Sequence, residues 1–226
     1  MRLLTGGKLT VAADYSFPPF AFRGGDGDLE GFDVDVIEAI GRELDLEVDF
    51  VNRGTGALVA GALAHRHDLA ASAIRADDSL RDETCMSIPY LDADLGVLIR
   101  AADRDAIGGV PDLGGKTVAV LDGGRAARWV DEVLDDSTVA SVPTADDAIA
   151  AVRSGQANAA VDELAMVRFA VKSTPDLALA TRIRTGESFV FVGAPDNAGL
   201  MAKVNSALQK LRRNGTLRKL QQKWFG

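Results

Sequence analysis

The chain has 226 residues, 47% of them apolar and 26% charged, with a formal net charge of −8 and a single cysteine. That length and apolar content suffice for one large or two modest domains with a sizeable core. The acidic balance argues against a nucleic-acid or anionic-membrane partner, the lone Cys85 excludes an internal disulfide, and no apolar run approaches the ~20 residues that span a bilayer.

The N-terminus lacks the apolar core of a signal segment, because Met1 to Gly7 lead directly into a strand. Residues 9–13 set Leu9, Val11 and Ala13 against Thr10 and Ala12, the pattern of a strand that ends where Asp14 opens a loop. Pro18 and Pro19 hold Phe17 and Phe20 out of any helix. Asp33 is placed to cap or start a helix whose apolar face is Val34, Ile37, Ile40 and Leu44. Residues 47–51 form a second strand, 57–65 a short helix, and 68–74 a third strand running into the charged turn Asp77, Asp78, Ser79. His65 and His67, two apart with no acid or cysteine to complete a metal set, are expected at the solvated surface. Cys85 is expected as a small buried apolar residue.

Further along, 117–121 is a strand closed by Asp122, Gly123 and Gly124, followed by a helix over 125–134. Residues 139–142 are extended and 145–153 helical, with Ala148, Ile149 and Val152 inward and Gly155 as the left-handed stop. Strands follow at 157–161 and 189–193, then helices at 199–213 and 216–225. This alternation predicts an α/β fold on parallel sheets. No internal repeat or low-complexity tract interrupts it.

Several motifs, in order, resemble those of the family 3 extracellular solute-binding proteins, which feed polar amino acids to ABC transporters. They begin with the Pro-Pro loop and Gly31-Phe-Asp-Val-Asp35, and continue with Met86-Ser-Ile-Pro-Tyr90, where methionine stands in the family's aromatic place. Asp112-Leu-Gly-Gly-Lys-Thr-Val-Ala-Val120 and Gly155-Gln-Ala-Asn-Ala-Ala-Val-Asp162 are similar to segments of the family's second lobe. The most specific match is the closing helix pair, from Asn205 through Asn214, Gly215 and Thr216 to Trp224, Phe225 and Gly226. The resemblance implies a two-lobed periplasmic-binding-protein type II fold. Lobe one would hold 1–92 and 188–226, lobe two 93–187, with crossover strands near 92–97 and 187–191. A hinge of this kind lets a cleft close on a ligand and expel water, which strengthens polar contacts inside.

The resemblance also implies a ligand set. Asp14 matches the ligand-loop aspartate, and Phe17 the aromatic ring that stacks on the ligand, a flat wall able to offer a cation about 0.5–2 kcal/mol. Gly124 and Arg125, at a strand-to-helix junction, stand where Ser or Thr is usual, and backbone N–H groups there suit a carboxylate. A Rossmann site is the competing reading, but no Gly-x-Gly-x-x-Gly is present. Glu163 falls on the amine-binding aspartate, with Asp162 just before it. The departure lies in 72–81: a gapless count puts Leu80 at the carboxylate-clamping arginine. Ser72, Ile74 and Arg75 then line the cleft, with Arg75 in the place of a small hydroxyl residue. Arg75, rather than Arg81, is therefore expected to hold the ligand's anionic group. Thr55 stands where some basic-amino-acid binders carry a second ring.

The leading expectation is a non-enzymatic receptor for a small, polar, zwitterionic amino acid or amino-acid-like ligand, working as a monomer outside the cytoplasm with an ABC transporter permease. It needs no cofactor and no metal. The absence of a signal core fits a trimmed exported form or a domain cut from a larger protein. Two alternatives stand beside it: the sensor domain of a membrane receptor, and an enzyme resembling cyclohexadienyl dehydratases with Glu163 as general acid.

Overall fold

The structure is a computed structural model and describes residues 2–226. The chain divides into two compact units: Met1–Asp92 with Glu187–Trp224, and Ala93–Gly186, with which Phe225–Gly226 are grouped. Unit 1 begins with β1 (Lys8–Ala13), β2 (Ser16–Phe17), β3 (Ala21–Arg23), β4 (Leu29–Glu30) and α1 (Phe32–Leu44). It continues with β5 (Glu47–Asn52), α2 (Leu58–Leu63), β6 (Leu69–Ala70), α3 (Asp78–Arg81), β7 (Cys85–Met86) and β8 (Leu91–Asp92). Unit 2 contains β9 (Leu95–Arg100), β10 (Thr117–Leu121), α4 (Arg125–Val133), β11 (Thr138–Val142), α5 (Ala145–Ser154), β12 (Ala159–Glu163), α6 (Leu164–Ser173) and β13 (Leu177–Ile183). The chain then returns to unit 1 as β14 (Ser188–Phe189), β15 (Val192–Gly193), α7 (Ala198–Arg213) and α8 (Thr216–Phe225).

The main sheet of unit 1 has the order β5-β1-β6-β15-β7. β1, β5 and β6 are parallel, whereas β15 runs antiparallel to both β6 and β7. The sheet is therefore mixed rather than wholly parallel, because β15 arrives from the far end of the chain in the opposite sense. β1 lies inside this sheet, so Leu9, Val11, Ala12 and Ala13 are all buried, and the alternation of its sequence does not mark a solvated face. The expected strand over 68–74 is only Leu69–Ala70. Ser72 and Ala73 both take left-handed backbone (φ 79° and 52°), which ends the strand and turns the chain.

α1 starts at Gly31, whose φ of 144° and ψ of 167° suit only glycine; a Cβ there would sit 2.1 Å from the Phe20 carbonyl oxygen. Val34, Ile37 and Ile40 bury the expected face. Asp33 does not cap the helix: Gly31 is the N-cap, no side chain caps it, and the Asp33 carboxylate turns inward. At the other face of the unit, Asp35 receives Lys223 Nζ at 2.7 Å and Trp224 Nε1 at 2.6 Å, pinning α8 to α1.

Unit 2 is one sheet of order β11-β10-β12-β9-β13, with β10, β11 and β12 parallel and β9 antiparallel to both its neighbours. It is covered on both faces, as a sheet carrying parallel strands requires. Val118, Val120, Val97 and Val161 pack with Ala126, Ala127 and Val130 of α4. The alternate residues Ala119, Leu98 and Ala160 pack with Ala148, Ala151 and Val152 of α5 and Val167 of α6. β9 overlaps the crossover strand expected near 92–97 but runs on to Arg100, α6 and β13 have no counterpart among the elements expected from sequence, and the strand expected at 157–161 begins two residues later.

Two further expectations change. His67 is buried, not solvated; its Nε2 meets the Leu58 carbonyl at 2.8 Å, and burial lowers its pKa. Cys85 is only half-buried, as a free thiol. Among the described residues, no group of three or more His, Cys, Asp or Glu side chains is placed to hold a metal ion, and no helix is long and apolar enough to cross a membrane.

Candidate functional site

Because β1, β5 and β6 are parallel, their carboxyl ends share one edge of the unit 1 sheet. Ligands of open α/β sheets bind just beyond such ends. Asp14 follows β1, Thr55 lies in the loop after β5, and Ser72 to Arg75 follow β6.

Asp14 is occupied by the protein itself. Its Oδ1 accepts from Ser16 N (3.0 Å) and Oγ (2.6 Å), and its Oδ2 from Thr55 N (3.0 Å) and Oγ1 (2.8 Å). A carboxylate offers about four acceptor sites, so these donors use its capacity. Burial pushes the Asp14 pKa up, but the bonds from Ser16 and Thr55 outweigh it and hold the group below its ordinary value. Thr55 thus serves Asp14, which ties two loops of the face together.

The Asp14 backbone N–H donates to Ser72 Oγ at 2.9 Å, and Ser72 is buried. Behind it, Asp33 Oδ2 accepts from the Ser72 N–H at 2.8 Å and the Ala73 N–H at 2.9 Å, the two left-handed residues. Asp33 is fully buried; desolvation lifts its pKa to about 6 against the opposing hydrogen bonds. The buried Tyr90 hydroxyl faces the Asp33 carboxylate, and burial followed by the Asp33 charge drives the Tyr90 pKa well above the usual phenol value. Asp33 is therefore the post on which the 72–75 segment hangs.

Beyond that turn, the Val190 N–H donates to the Ile74 carbonyl and the Ala76 N–H to the Ser188 carbonyl, so 74–76 lies against β14. Arg75 lines a cavity of about 530 Å³ with Ile74, Ala76, Asp77, Leu80 and Glu187. Its Nη1 stands 3.7 Å from Glu187 Oε2, and the two side chains are 35% and 45% exposed. Arg81 lines a different cavity, of about 280 Å³, with Thr84, Met86 and Ser87. Adjacent residues on a helical turn diverge by about 100°, which separates Leu80 from Arg81. Phe17 is half-buried and stacked on Phe20, ring centroids 5.6 Å apart, while Phe20 is fully buried with its edge against Phe189.

In unit 2, Gly123 (φ 63°) turns the chain out of β10 and Gly124 is the N-cap of α4. Arg125, the first helical residue, reaches Glu163 at the end of β12 with two bonds, Nε to Oε1 at 3.2 Å and Nη2 to Oε2 at 2.6 Å. Nη2 also donates to the Ala93 carbonyl at 2.5 Å. Both side chains are mostly covered, at 12% and 17% exposure. Asp162 accepts from the Glu163 N–H at 2.7 Å, and burial lifts its pKa to about 6.

The structure thus brings Arg75 together with Leu80 and Glu187, and Arg125 with Glu163, each set within its own unit. Two contributors escape the sequence. Asp33 looks like a helix cap, and Glu187 looks like a crossover residue; its meeting with Arg75, more than a hundred positions away, leaves no local signature.

The chain is 23% identical over 223 residues to the ABC transporter arginine-binding protein 1 of Escherichia coli (strain K12), covering 96% of this chain and 90% of that protein. It is 26% identical over 221 residues to the L-cystine-binding protein TcyJ of the same strain, covering 97% and 83%. A solved structure of an ancestral cationic amino acid solute binding protein (AncCDT-1) superposes with a TM-score of 0.89 at 25% identity, covering 97% of this chain and 96% of that one. The two-lobed α/β architecture is the type II periplasmic-binding-protein fold. The model of the bacterial extracellular solute-binding proteins, family 3, matches residues 9–226, and the chain belongs to that family.

Proposed function

We propose that this protein is a non-enzymatic receptor that captures a zwitterionic amino acid, or an amino-acid-like solute, outside the cytoplasm and delivers it to an ABC transporter permease. The observation that carries the reading is the unit 1 cavity, where Arg75 stands beside Leu80 at the strand-end face. Leu80 cannot clamp a carboxylate; Arg75 can, through its guanidinium fork. Phe17 adds a flat apolar wall near that face. Relatives that bind arginine or cystine make amino acids the first solutes to try. A non-enzymatic role is supported by Glu163, whose two oxygens both accept from Arg125 where a general acid would have a proton to donate.

A thermal-shift screen over the twenty proteinogenic L-amino acids and L-cystine tests the reading. A binder at a hundredfold excess over Kd adds about 2.7 kcal/mol of stability, a readily measured rise in Tm. Arg75→Met is expected to weaken that binder by about 1.5–3 kcal/mol in calorimetry, whereas Arg81→Met leaves it unchanged. A screen without a binder, or a loss confined to Arg81→Met, would overturn the assignment. Incubation with prephenate is expected to yield no aromatic product.

A further inference from the structure

We propose that the α7–α8 hairpin is a docking face for an anionic lipid surface, which it engages through Lys203, Arg213, Arg218 and Lys219. The inference stands on charge and helix geometry and does not need the receptor reading above.

Residues 198–226 carry seven of the chain's 25 Lys and Arg residues and none of its 33 Asp and Glu residues. An acidic protein has thus gathered a purely basic segment at one place in its fold. Three of the seven cations serve unit 1 itself. Lys223 pairs with Asp35 at 2.7 Å, Lys210 pairs with Glu43, and the Arg212 guanidinium donates to the Pro89 carbonyl. Those contacts fasten both helices to the unit. The other four, Lys203, Arg213, Arg218 and Lys219, are exposed, and none of these side chains makes a hydrogen bond or ion pair with the described residues.

Folding does not account for their placement. Arg213 suits the C-terminus of a helix, but an N-terminus carries partial positive charge and disfavours cations. Arg218 and Lys219 nevertheless stand in the first turn of α8, which holds no acidic residue. Arg213 ends α7 three residues before α8 begins, so the turn at Gly215 (φ 79°) gathers all three at one end of the hairpin. Lys203 lies about 15 Å back along α7, outside the buried stripe of Leu200, Val204, Ala207 and Leu211.

The kind of partner follows from what the face lacks. Protein interfaces are built round an apolar or aromatic centre in which lysine is depleted. The hairpin buries Leu217, Trp224 and Phe225 and exposes no large apolar side chain among the described residues. Long basic side chains without such a centre suit a diffuse sheet of negative charge, and an anionic bilayer attracts each Lys or Arg near its surface. The net charge of −8 does not forbid this, although taken alone it argues against such a surface. At physiological salt, charges farther than about 8–10 Å from the bilayer are screened, and the acidic remainder of the molecule serves to orient the hairpin toward it.

The test is flotation of the full chain with phosphatidylcholine vesicles, with and without about 30% phosphatidylglycerol. At about 0.02 M salt the chain is expected to float with the anionic vesicles and not with the neutral ones, and to be released at about 0.5 M. The combined variant Lys203→Gln, Arg213→Gln, Arg218→Gln, Lys219→Gln is expected to bind about tenfold to a hundredfold more weakly. These side chains are exposed, so its Tm should match that of wild type. A control variant removes the same charge from exposed positions elsewhere: Arg66→Gln, Arg104→Gln, Arg128→Gln, Arg184→Gln. It is expected to stay within about twofold of wild type. Equal losses in the two variants would overturn the proposal, because net charge alone would then be acting. Equal flotation with neutral vesicles would overturn it as well. No association with anionic vesicles at low salt would also overturn it, and would leave the face to an acidic protein partner.

Discussion

Replacing Asp33 by alanine is expected to destabilise unit 1 by about 2–5 kcal/mol, read by urea denaturation at pH 7. Two N–H groups, that of buried Ser72 and that of half-buried Ala73, would lose their acceptor, and an unsatisfied buried group costs about 1–3 kcal/mol. The same two residues hold left-handed backbone, which persists only where surrounding contacts enforce it. Asp33→Asn keeps an acceptor oxygen and should recover much of the loss. The charge adds a pH signature. Burial raises the folded-state pKa of Asp33 to about 6, above the ordinary 3.8, so the folded state holds this proton more readily than the unfolded chain. Stability from this group is therefore gained as pH falls from 6 toward 4 and lost as pH rises through 6, by roughly 3 kcal/mol at most. Asp162 is raised to a similar value and adds a slope of the same sign. Asp33→Asn is thus expected to flatten the pH dependence in this window by about half. An unchanged slope would show that Asp33 does not titrate there.

Arg125→Met should cost about 3 kcal/mol, the lower end of the range for removing one partner from a covered ion pair. The deletion leaves Glu163 beside Asp162 without the guanidinium, and the Ala93 carbonyl without its donor. Two adjacent covered carboxyls cannot both ionise cheaply, so the Asp162 pKa should climb above about 6. The double variant Arg125→Met, Glu163→Gln is expected to be more stable than Arg125→Met alone, with a coupling energy above about 1 kcal/mol. Additive losses in chemical denaturation would mean that the pair is not coupled.

What the sequence discloses about this molecule is the part written locally. β10 and α8 fall on their expected bounds because each carries its own stop and start signals, the glycines around 117–121 and Thr216 after Gly215. The 68–74 segment looks like a strand because its residues are small and apolar. It stops after Ala70 because a carboxylate from α1 captures the amides of Ser72 and Ala73, an event 39 and 40 residues away in sequence. β13 escapes for another reason: its antiparallel pairing with β9 is set by tertiary packing, not by flanking turns. At the candidate site, spacing alone puts Leu80 at the clamp position and Arg75 in the place of a small hydroxyl residue, whereas their meeting in one cavity is a property of the folded chain. That Asp14 would be saturated, and that Arg125 would answer Glu163, depends on side-chain reach that spacing does not encode.

The strand order of unit 1 also bears on how the protein comes into being. β15 sits between β6 and β7, yet it is made only after the whole of Ala93–Gly186. While the chain emerges, the first half of unit 1 holds two strand edges with no partner, whereas Ala93–Gly186 is one continuous stretch able to close its own sheet. The later-synthesised unit is thus expected to fold first, and the earlier one to wait on its last strand. Its nascent β6 and β7 edges would need shielding meanwhile, a demand on the cell's chaperones that a protein with uninterrupted domains would not make.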